Sequence, residues 1–206
     1  MSAIHLPDAC GVMLLPDCSL FPHGGLPLHV FEPRYRRMLE DALEGDCLFA
    51  VARLLDEETV DPADCTARVG TIGLVRAAHE QPDGTSNLLL HGVIRVKFTE
   101  WHFDRPYPFA SIEPLATFFE PDHQADAAVR TLRGAVEDAI RPLAPEVKEA
   151  VMGLMNRADE PALLTDIVAQ QFVHDPDMRQ RILETDSAGE RIGLICEYLR
   201  KVSGGL

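Results

Sequence analysis

The hydrophobic residues of this chain follow two different periods, and the change from one to the other divides the molecule. Before Phe119 the apolar residues alternate with polar ones or form short continuous runs, which is typical of β-strands. After Asp122 they recur every three or four residues, as on an amphipathic helix. The sequence therefore predicts an α+β protein in which a β-rich domain over residues 1–119 precedes a helical bundle over residues 120–206.

Within the β-rich part, the stretch from Leu20 to Gly45 predicts a turn, a strand and a helix in succession. The adjacent Gly24 and Gly25 supply the positive φ that a turn needs. The segment LPLHVF then alternates as a strand with one buried face does. Its Pro27 lacks an N–H group, so we expect this strand at a sheet edge or at a bulge.

The helix of this stretch is expected to run from Pro33 for about three turns and to end at Gly45. Its apolar stripe consists of Tyr35, Met38, Leu39, Ala42 and Leu43. Three arginines occupy the first turn, Arg34, Arg36 and Arg37, where the helix dipole disfavours positive charge. They form a solvated face with the i,i+4 pairs Arg36/Glu40 and Arg37/Asp41, or one of them has a carboxylate partner elsewhere, on this protein or on a ligand.

Five further segments predict strands: Cys10–Leu15, Cys47–Leu55, Arg68–His79, Ser86–Trp101 and Tyr107–Thr117. Gly92 interrupts the longest of them, which suggests a bulge that bends the sheet towards closure. The acidic segment 56–64 is expected to be a solvated loop without function. Beyond the boundary five helices are predicted, with Asp159, Asp175 and Asp186 at the starts of the last three.

Four segments carry a family resemblance: LFPHGGLPLHVFEPRYRRMLEDAL, VGTIGLVRAAHEQPDGTSNLLLHGVIRVKF, Tyr107 to Leu115, and HDPDMRQRILETDSAGERIGLICEYL. Together they resemble the N-terminal domain of Lon proteases, a substrate-interacting domain that also occurs as a free-standing protein. The resemblance covers most of the chain. It implies an N-terminal PUA-like half-open β-barrel with one helix, followed by a C-terminal α-helical bundle. It also implies a non-catalytic module that binds unfolded or hydrophobic protein segments in quality control or as a protease adaptor.

The motifs of ATP hydrolysis and peptide hydrolysis are missing from the sequence. There is no G-x-x-x-x-G-K-[ST], no G-x-S-x-G and no H-E-x-x-H. Full-length Lon-type proteases carry their ATPase and Ser–Lys peptidase after the segment that this chain resembles, and this chain ends first. We therefore expect a stand-alone domain that is not an enzyme and needs no cofactor.

The net charge and the cysteine content limit which partners and which cellular compartment are expected. The net charge of −14 should repel nucleic acid and anionic membranes. The first residues lack a signal peptide, which predicts a cytoplasmic protein with five free thiols. A zinc site from His5, Cys10, Cys18 and His23 fits no compact ligand spacing, so no metal is expected. The alternative function is nucleic-acid or small-molecule binding, as in many PUA-like relatives of the barrel.

The candidate peptide-binding residues surround the Gly-Gly turn and the approach to the last strand. They are Phe21, His23, His29, Phe31, Arg34, Trp101 and Tyr107. An extended peptide is expected to add to the strand edge with its side chains in a hollow near Phe21, His29 and Tyr107. In the alternative interpretation, Phe21 is tucked into the barrel mouth, and Trp101 and Tyr107 belong to the core or rim. The expected partners are unfolded or hydrophobic protein segments and a separate ATP-dependent protease; homo-oligomerisation stays open.

Overall fold

The structure, a computed structural model, describes residues 5–118, 124–158 and 160–203. The chain divides into two compact units, Met1–Leu115 and Ala116–Leu206. The first contains a mixed sheet and the second contains helices, which confirms the α+β prediction. The predicted boundary at Phe119–Asp122, the predicted helix start at Asp159 and the predicted helix end at Gly204 lie outside the described residues.

The described residues of the first unit form six strands and two helices. The strands are β1 (Ala9–Leu15), β2 (Gly25–Val30), β3 (Leu48–Arg53), β4 (Val69–Glu80), β5 (Ser86–His102) and β6 (Phe109–Pro114). The helices are α1 (Pro33–Glu44) and α2 (Pro62–Cys65). The unit therefore has one helix more than expected: α2 lies in the acidic segment that was predicted to be a loop. Because this helix is short and has no apolar stripe, hydrophobic periodicity does not predict it.

The sheet order is β2-β5-β4-β3-β1-β6, and β6 also pairs with β5. Five strands therefore close a ring, and β2 pairs with the first half of β5 as an edge strand. The edge position of β2 confirms the interpretation of Pro27, which opposes Leu89 of β5. β1 and β3 pair in parallel, and the other pairs are antiparallel.

The predicted bulge is present at Gly92. Gly73 of β4 opposes Gly92, whereas its neighbour Ile72 opposes Ile94, so β5 contains one extra residue at this point. A Cβ atom on Gly92 would lie 2.1 Å from the carbonyl oxygen of Phe21. Glycine is therefore required here because the backbone of the turn rests directly on β5.

The turn itself differs from the prediction. His23, not Gly24 or Gly25, has the left-handed conformation, with φ of 62°. Its N–H donates to Gly92 O at 2.8 Å, and Gly92 N–H donates to Gly24 O at 2.8 Å. These two bonds fix which residue reverses the chain, and histidine enters this region more readily than most non-glycine residues.

Apolar side chains are buried on both faces of the sheet. One cluster contains Tyr35, Met38 and Leu39 of α1 with Phe49 and Val51 of β3. The other lies on the opposite face and includes the alternate residues of β1 and β3, Cys10, Val12, Leu48, Ala50 and Ala52. β3 is therefore covered on both faces, as its continuous apolar run predicts. Leu43, which was assigned to the apolar stripe of α1, is exposed, whereas the preceding Ala42 packs against this cluster.

In the second unit the described helices are α3 (Gln124–Ile140), α4 (Pro145–Met155), α5 (Pro161–Phe172), α6 (Pro176–Glu184) and α7 (Ala188–Ser203). Asp175 caps α6 by accepting from Met178 N–H at 2.7 Å, as predicted. The predicted cap at Asp186 is wrong by one residue. Ser187 Oγ accepts from Glu190 N–H at 3.3 Å and begins α7.

Candidate functional site

A groove of about 450 Å³ lies on the surface of the first unit, beside the start of α1, the start of α2 and the connection between β5 and β6. Two of its large apolar side chains are strongly exposed, Val60 at 94% and Phe103 at 73%. The remaining lining residues are Arg34, Asp61, Pro62, His102, Arg105, Pro106, Tyr107 and Pro108. The groove therefore combines an apolar floor with a few polar groups, as binding sites commonly do.

One side of the groove is built by the start of α2. Asp61 is the N-cap residue, and its carboxylate accepts from Ala63 N–H at 2.9 Å. Pro62 follows at the first helical position, where its missing N–H has no consequence. Because the cap fixes the direction in which the chain enters the helix, Val60 is left on the outside, in solvent.

The opposite side is the connection between β5 and β6, which Tyr107 anchors. Its ring is buried, and its hydroxyl donates to Asp41 Oδ2 at 2.6 Å. The next residue, Pro108, accepts from Val12 N–H of β1 at 2.8 Å. The connection is thus attached both to α1 and to the sheet, while Phe103 remains outside.

Asp41 of α1 is shared by three partners. Arg37 Nη2 lies 2.7 Å from Oδ1, and Arg105 Nη1 lies 3.4 Å from Oδ2, beside the bond from Tyr107. The predicted pair Arg37/Asp41 is confirmed. Burial, the hydrogen bond to Asp41 and the negative charge of that carboxylate raise the pKa of Tyr107 to about 12, so the phenol stays neutral at physiological pH.

The two arginines of the groove are half-exposed and stacked on aromatic rings. Arg34 donates from Nε to Glu32 Oε2 at 2.8 Å, and its guanidinium lies 4.6 Å from the centre of the Tyr35 ring. Arg105 lies 5.2 Å from the centre of the Phe109 ring. Stacking holds each guanidinium at the groove without occupying all its donors.

Of the seven predicted site residues, Arg34 and Tyr107 line this groove. Phe21 is fully buried, so an accessible hollow beside it is contradicted. The backbone of the turn packs directly on Gly92 of β5, so Phe21 is held against the sheet. Trp101 is half-buried and packs on Phe98 with ring centres 5.4 Å apart, in the core cluster on the other face of the sheet from Tyr107.

The remaining three predicted residues lie on or beside the edge strand β2. His29 binds Asn87 side chain to side chain at 2.8 Å, and its ring stacks with that of Phe31, which is 62% exposed. His23 is exposed at the turn. Burial, together with the nearby His23 and Arg76, lowers the pKa of His91 on the adjacent strand. The structure therefore separates the predicted residues into a groove, an edge-strand surface and the core.

Sequence reasoning missed Val60, Phe103 and Arg105, all of which line the groove. Acidic residues surround Val60, so the segment was interpreted as a solvated loop although it contains a pattern typical of a helix start. Asp61 followed by Pro62 is the sequence of an N-cap and a first helical residue, which predicts a helix start at this point.

Neither a metal site nor a membrane-spanning helix is present among the described residues. No group of three or more His, Cys, Asp or Glu side chains lies close enough together there to hold a metal ion. The described helices also include none with the length and apolar content needed to cross a membrane. The thiol of Cys10 on β1 is buried, and burial raises its pKa to about 12.

A known protein family matches almost the whole chain. Residues 10–201 match the model of the ATP-dependent protease La (LON) substrate-binding domain. The Lon protease of Xanthomonas oryzae pv. oryzae is 31% identical over 198 residues, a match that covers 92% of this chain and 23% of that protein. The Lon protease of Dictyoglomus thermophilum is 26% identical over 197 residues, covering 95% and 25%. The chain thus spans about a quarter of the length of these relatives.

Solved structures show the same fold at low sequence identity. The N-terminal domain of a Mycobacterium avium complex Lon protease superposes with a TM-score of 0.75 at 13% identity, covering 93% of this chain and 97% of that one. A Lon N-terminal domain protein from Xanthomonas campestris superposes with a TM-score of 0.66 at 17% identity, covering 92% and 98%. Each of these matches covers more than nine-tenths of both chains.

Proposed function

This chain belongs to the family of Lon substrate-binding domains, and from that premise we propose that it binds extended apolar segments of unfolded polypeptides in the groove between α2 and the β5–β6 connection. The groove supplies apolar contact, and its arginines orient the bound segment. Recognition of this kind needs no fixed sequence, because apolar contact is non-directional. It suits a module that receives many different protein substrates.

The observation that carries the proposal is the exposure of Val60 and Phe103 on one groove. Single exposed apolar residues are common on proteins and need no explanation, but here two large ones line the same concave surface with three prolines. Covering each side chain would contribute roughly 1.5 to 3 kcal/mol before the cost of ordering the peptide. The expected affinity is therefore modest, as a binder that releases its substrates requires.

Binding of nucleic acid is the weaker alternative. The chain carries a net charge of −14, and counterion release from phosphates needs several basic side chains acting together. The groove has two arginines, but Glu32 and Asp41 lie against them and Asp61 lines the same surface. Apolar lining with mixed charge favours a peptide over a phosphate backbone.

A titration of labelled unfolded polypeptide against three matched Phe→Ser variants tests the proposal. Phe103→Ser should weaken binding several-fold, because it removes the largest exposed apolar contact of the groove. Phe118→Ser removes a similarly exposed ring from the second unit and should bind as the wild type does. Phe31→Ser tests the edge strand. If Phe31→Ser loses affinity and Phe103→Ser does not, the substrate adds to β2 and the groove proposal fails.

We further propose that the bound segment is passed to an ATP-dependent protease, since the relatives that this chain matches are Lon proteases. The purified chain alone is expected neither to hydrolyse ATP nor to cleave unfolded casein. Turnover that follows the protein through purification would contradict this. Adding the chain to a Lon-type protease should change the rate at which an unfolded substrate is degraded, and Phe103→Ser should reduce that change.

A further inference from the structure

Two guanidinium groups line the groove with N–H donors left over. Arg34 uses Nε for Glu32, and Arg105 places Nη1 3.4 Å from Asp41 and Nε 4.0 Å from Asp104. Within the described part of the chain, the Nη atoms of Arg34 make no hydrogen bond, and the Arg105 side chain has one further polar partner, the Tyr107 hydroxyl. A guanidinium carries five N–H donors in a planar fork, so both groups keep the donors that a carboxylate uses.

These donors are held in place before any ligand arrives. Arg34 stacks on Tyr35 and Arg105 on Phe109, so the flexible stems are already restrained. Asp61, which also lines the groove, accepts from Ala63 N–H as the cap of α2. The groove therefore combines guanidinium groups that still have unused N–H donors with exposed apolar side chains, on a chain whose overall charge is strongly negative.

We infer that the groove selects polypeptide segments in which an aspartate or glutamate lies next to a large apolar residue. This inference rests on the proposed function and names the substrate class of the same site. The apolar side chain contacts Phe103 and Val60, and the carboxylate accepts from the remaining donors of Arg34 and Arg105. Both halves of the site are needed, because an isolated half-exposed ion pair contributes little.

The carboxylate belongs to an internal acidic residue and not to a chain terminus. Proteins that capture a terminal carboxylate do so mainly with a run of backbone N–H groups. Three lining residues of this groove, Pro62, Pro106 and Pro108, have no backbone N–H. The donors that remain are side-chain guanidinium groups, which bind a carboxylate wherever it stands along the segment.

The test compares three labelled peptides that share one apolar core. The first carries Phe-Glu and an amidated C-terminus, the second Phe-Gln and an amidated C-terminus, and the third Phe-Gln and a free C-terminus. Each is titrated by fluorescence anisotropy against the wild type and the double variant Arg34→Gln/Arg105→Gln. The matched control is Arg68→Gln/Arg76→Gln, which removes the same charge from exposed positions of the same unit outside the groove lining.

The wild type and the control should bind the Glu peptide roughly three- to tenfold more tightly than the amidated Gln peptide. In Arg34→Gln/Arg105→Gln this ratio should fall to about one while binding of the Gln peptide is retained. The inference is overturned if the wild type binds the two amidated peptides equally, if the ratio survives in the double variant, or if the free-terminus peptide matches the Glu peptide. If the wild type binds none of the three, the proposed function fails with it.

Discussion

Two arginines of the second, helical unit and two of the first, sheet-containing unit have opposite roles. In the helical unit Arg191 and Arg179 are buried, and their guanidinium groups bind a carboxylate or helix-end carbonyls. In the sheet unit Arg34 and Arg105 are about half-exposed and keep donors without a protein acceptor in the described residues. A buried guanidinium must be satisfied by its own chain, whereas a half-exposed one is satisfied by water and exchanges water for a ligand.

In a chain with many charges, exposure separates the arginines that stabilise the fold from those available to a ligand. Two arginines of the helical unit donate to carbonyl groups that a helix end leaves unpaired: Arg133 Nη2 lies 3.2 Å from Met155 O at the end of α4, and Arg179 Nη1 lies 2.7 Å from Val173 O after α5. Their replacement should change stability. Replacement of the groove arginines should change binding and leave stability almost unaltered.

The largest effect is expected from Arg191→Met. Arg191 Nη1 lies 2.9 Å from Asp166 Oδ1, and both side chains are almost fully buried. The variant leaves Asp166 as a buried carboxylate without its cation, which should lower the free energy of unfolding by about 3 to 5 kcal/mol. Urea denaturation, monitored by the helical signal in circular dichroism, measures this change in the free energy of unfolding. Arg141→Met, at an exposed i,i+3 pair with Asp138, is the control and should change it by less than about 1 kcal/mol.

A smaller loss is expected from Arg179→Met. The guanidinium donates to Ala169 O, Gln170 O and Val173 O, and so satisfies the carbonyls at the end of α5. Methionine keeps much of the apolar stem, and Ala169 O keeps its bond from Val173 N–H, but Gln170 O and Val173 O lose the guanidinium donor, at about 2 to 3 kcal/mol. The same denaturation experiment applies. An unchanged midpoint would mean that water replaces the guanidinium at these carbonyls and that Arg179 does not stabilise the fold, although it is buried.

The Tyr107–Asp41 bond links the groove to the stability of its own unit, and Tyr107→Phe should lower the free energy of unfolding by about 1 to 2 kcal/mol at pH 8. The folded pKa of about 12 lies above the ordinary value of 10, so the neutral phenol is favoured in the folded state. This contribution is complete below about pH 10 and is lost as pH rises towards 12. Measured from pH 8 to 11.5, the difference between wild type and Tyr107→Phe should therefore shrink. A constant difference would show that the ionisation of Tyr107 is not linked to folding.

Sequence patterns predicted the fold well because the strands and helices obey simple periods. The edge position of β2 follows from Pro27, the bulge from Gly92 and the start of α6 from Asp175. The turn was assigned to the wrong residue because hydrogen bonds to Gly92, which is distant in sequence, decide that His23 takes the positive φ. Long-range contacts of this kind leave no local pattern.

The candidate site was harder to predict, for a related reason. A groove is made by segments far apart in the sequence, here residues 60–62 and 102–108 together with Arg34. Phe21 precedes a Gly-Gly turn, where an exposed residue is expected, yet it is buried because the turn packs on β5. Val60 lies in an acidic segment and is the most exposed apolar residue of the groove. Exposure depends on tertiary contacts, and composition alone does not report it.

Arg34→Ala should have the smallest effect on stability and sharpens the comparison most. The side chain is 48% exposed, and its ion pair with Glu32 is only two residues away in sequence, so the pair exists in part before folding. The helix dipole further disfavours a cation in this first turn. Loss of the ion pair and the stacking on Tyr35 is therefore nearly offset, and the free energy of unfolding should change by less than about 0.5 kcal/mol.

Urea denaturation of Arg34→Ala, monitored by the fluorescence of Trp101, the single tryptophan of this chain, tests that value in the sheet unit itself. A folded variant with an unchanged midpoint and weakened binding of the Glu peptide assigns Arg34 to recognition. A loss as large as that of Arg179→Met would instead place Arg34 with the structural arginines, and the contrast between the groove arginines and the buried arginines would no longer hold. The two measurements together separate a side chain that supports the fold from one that the fold presents to a ligand.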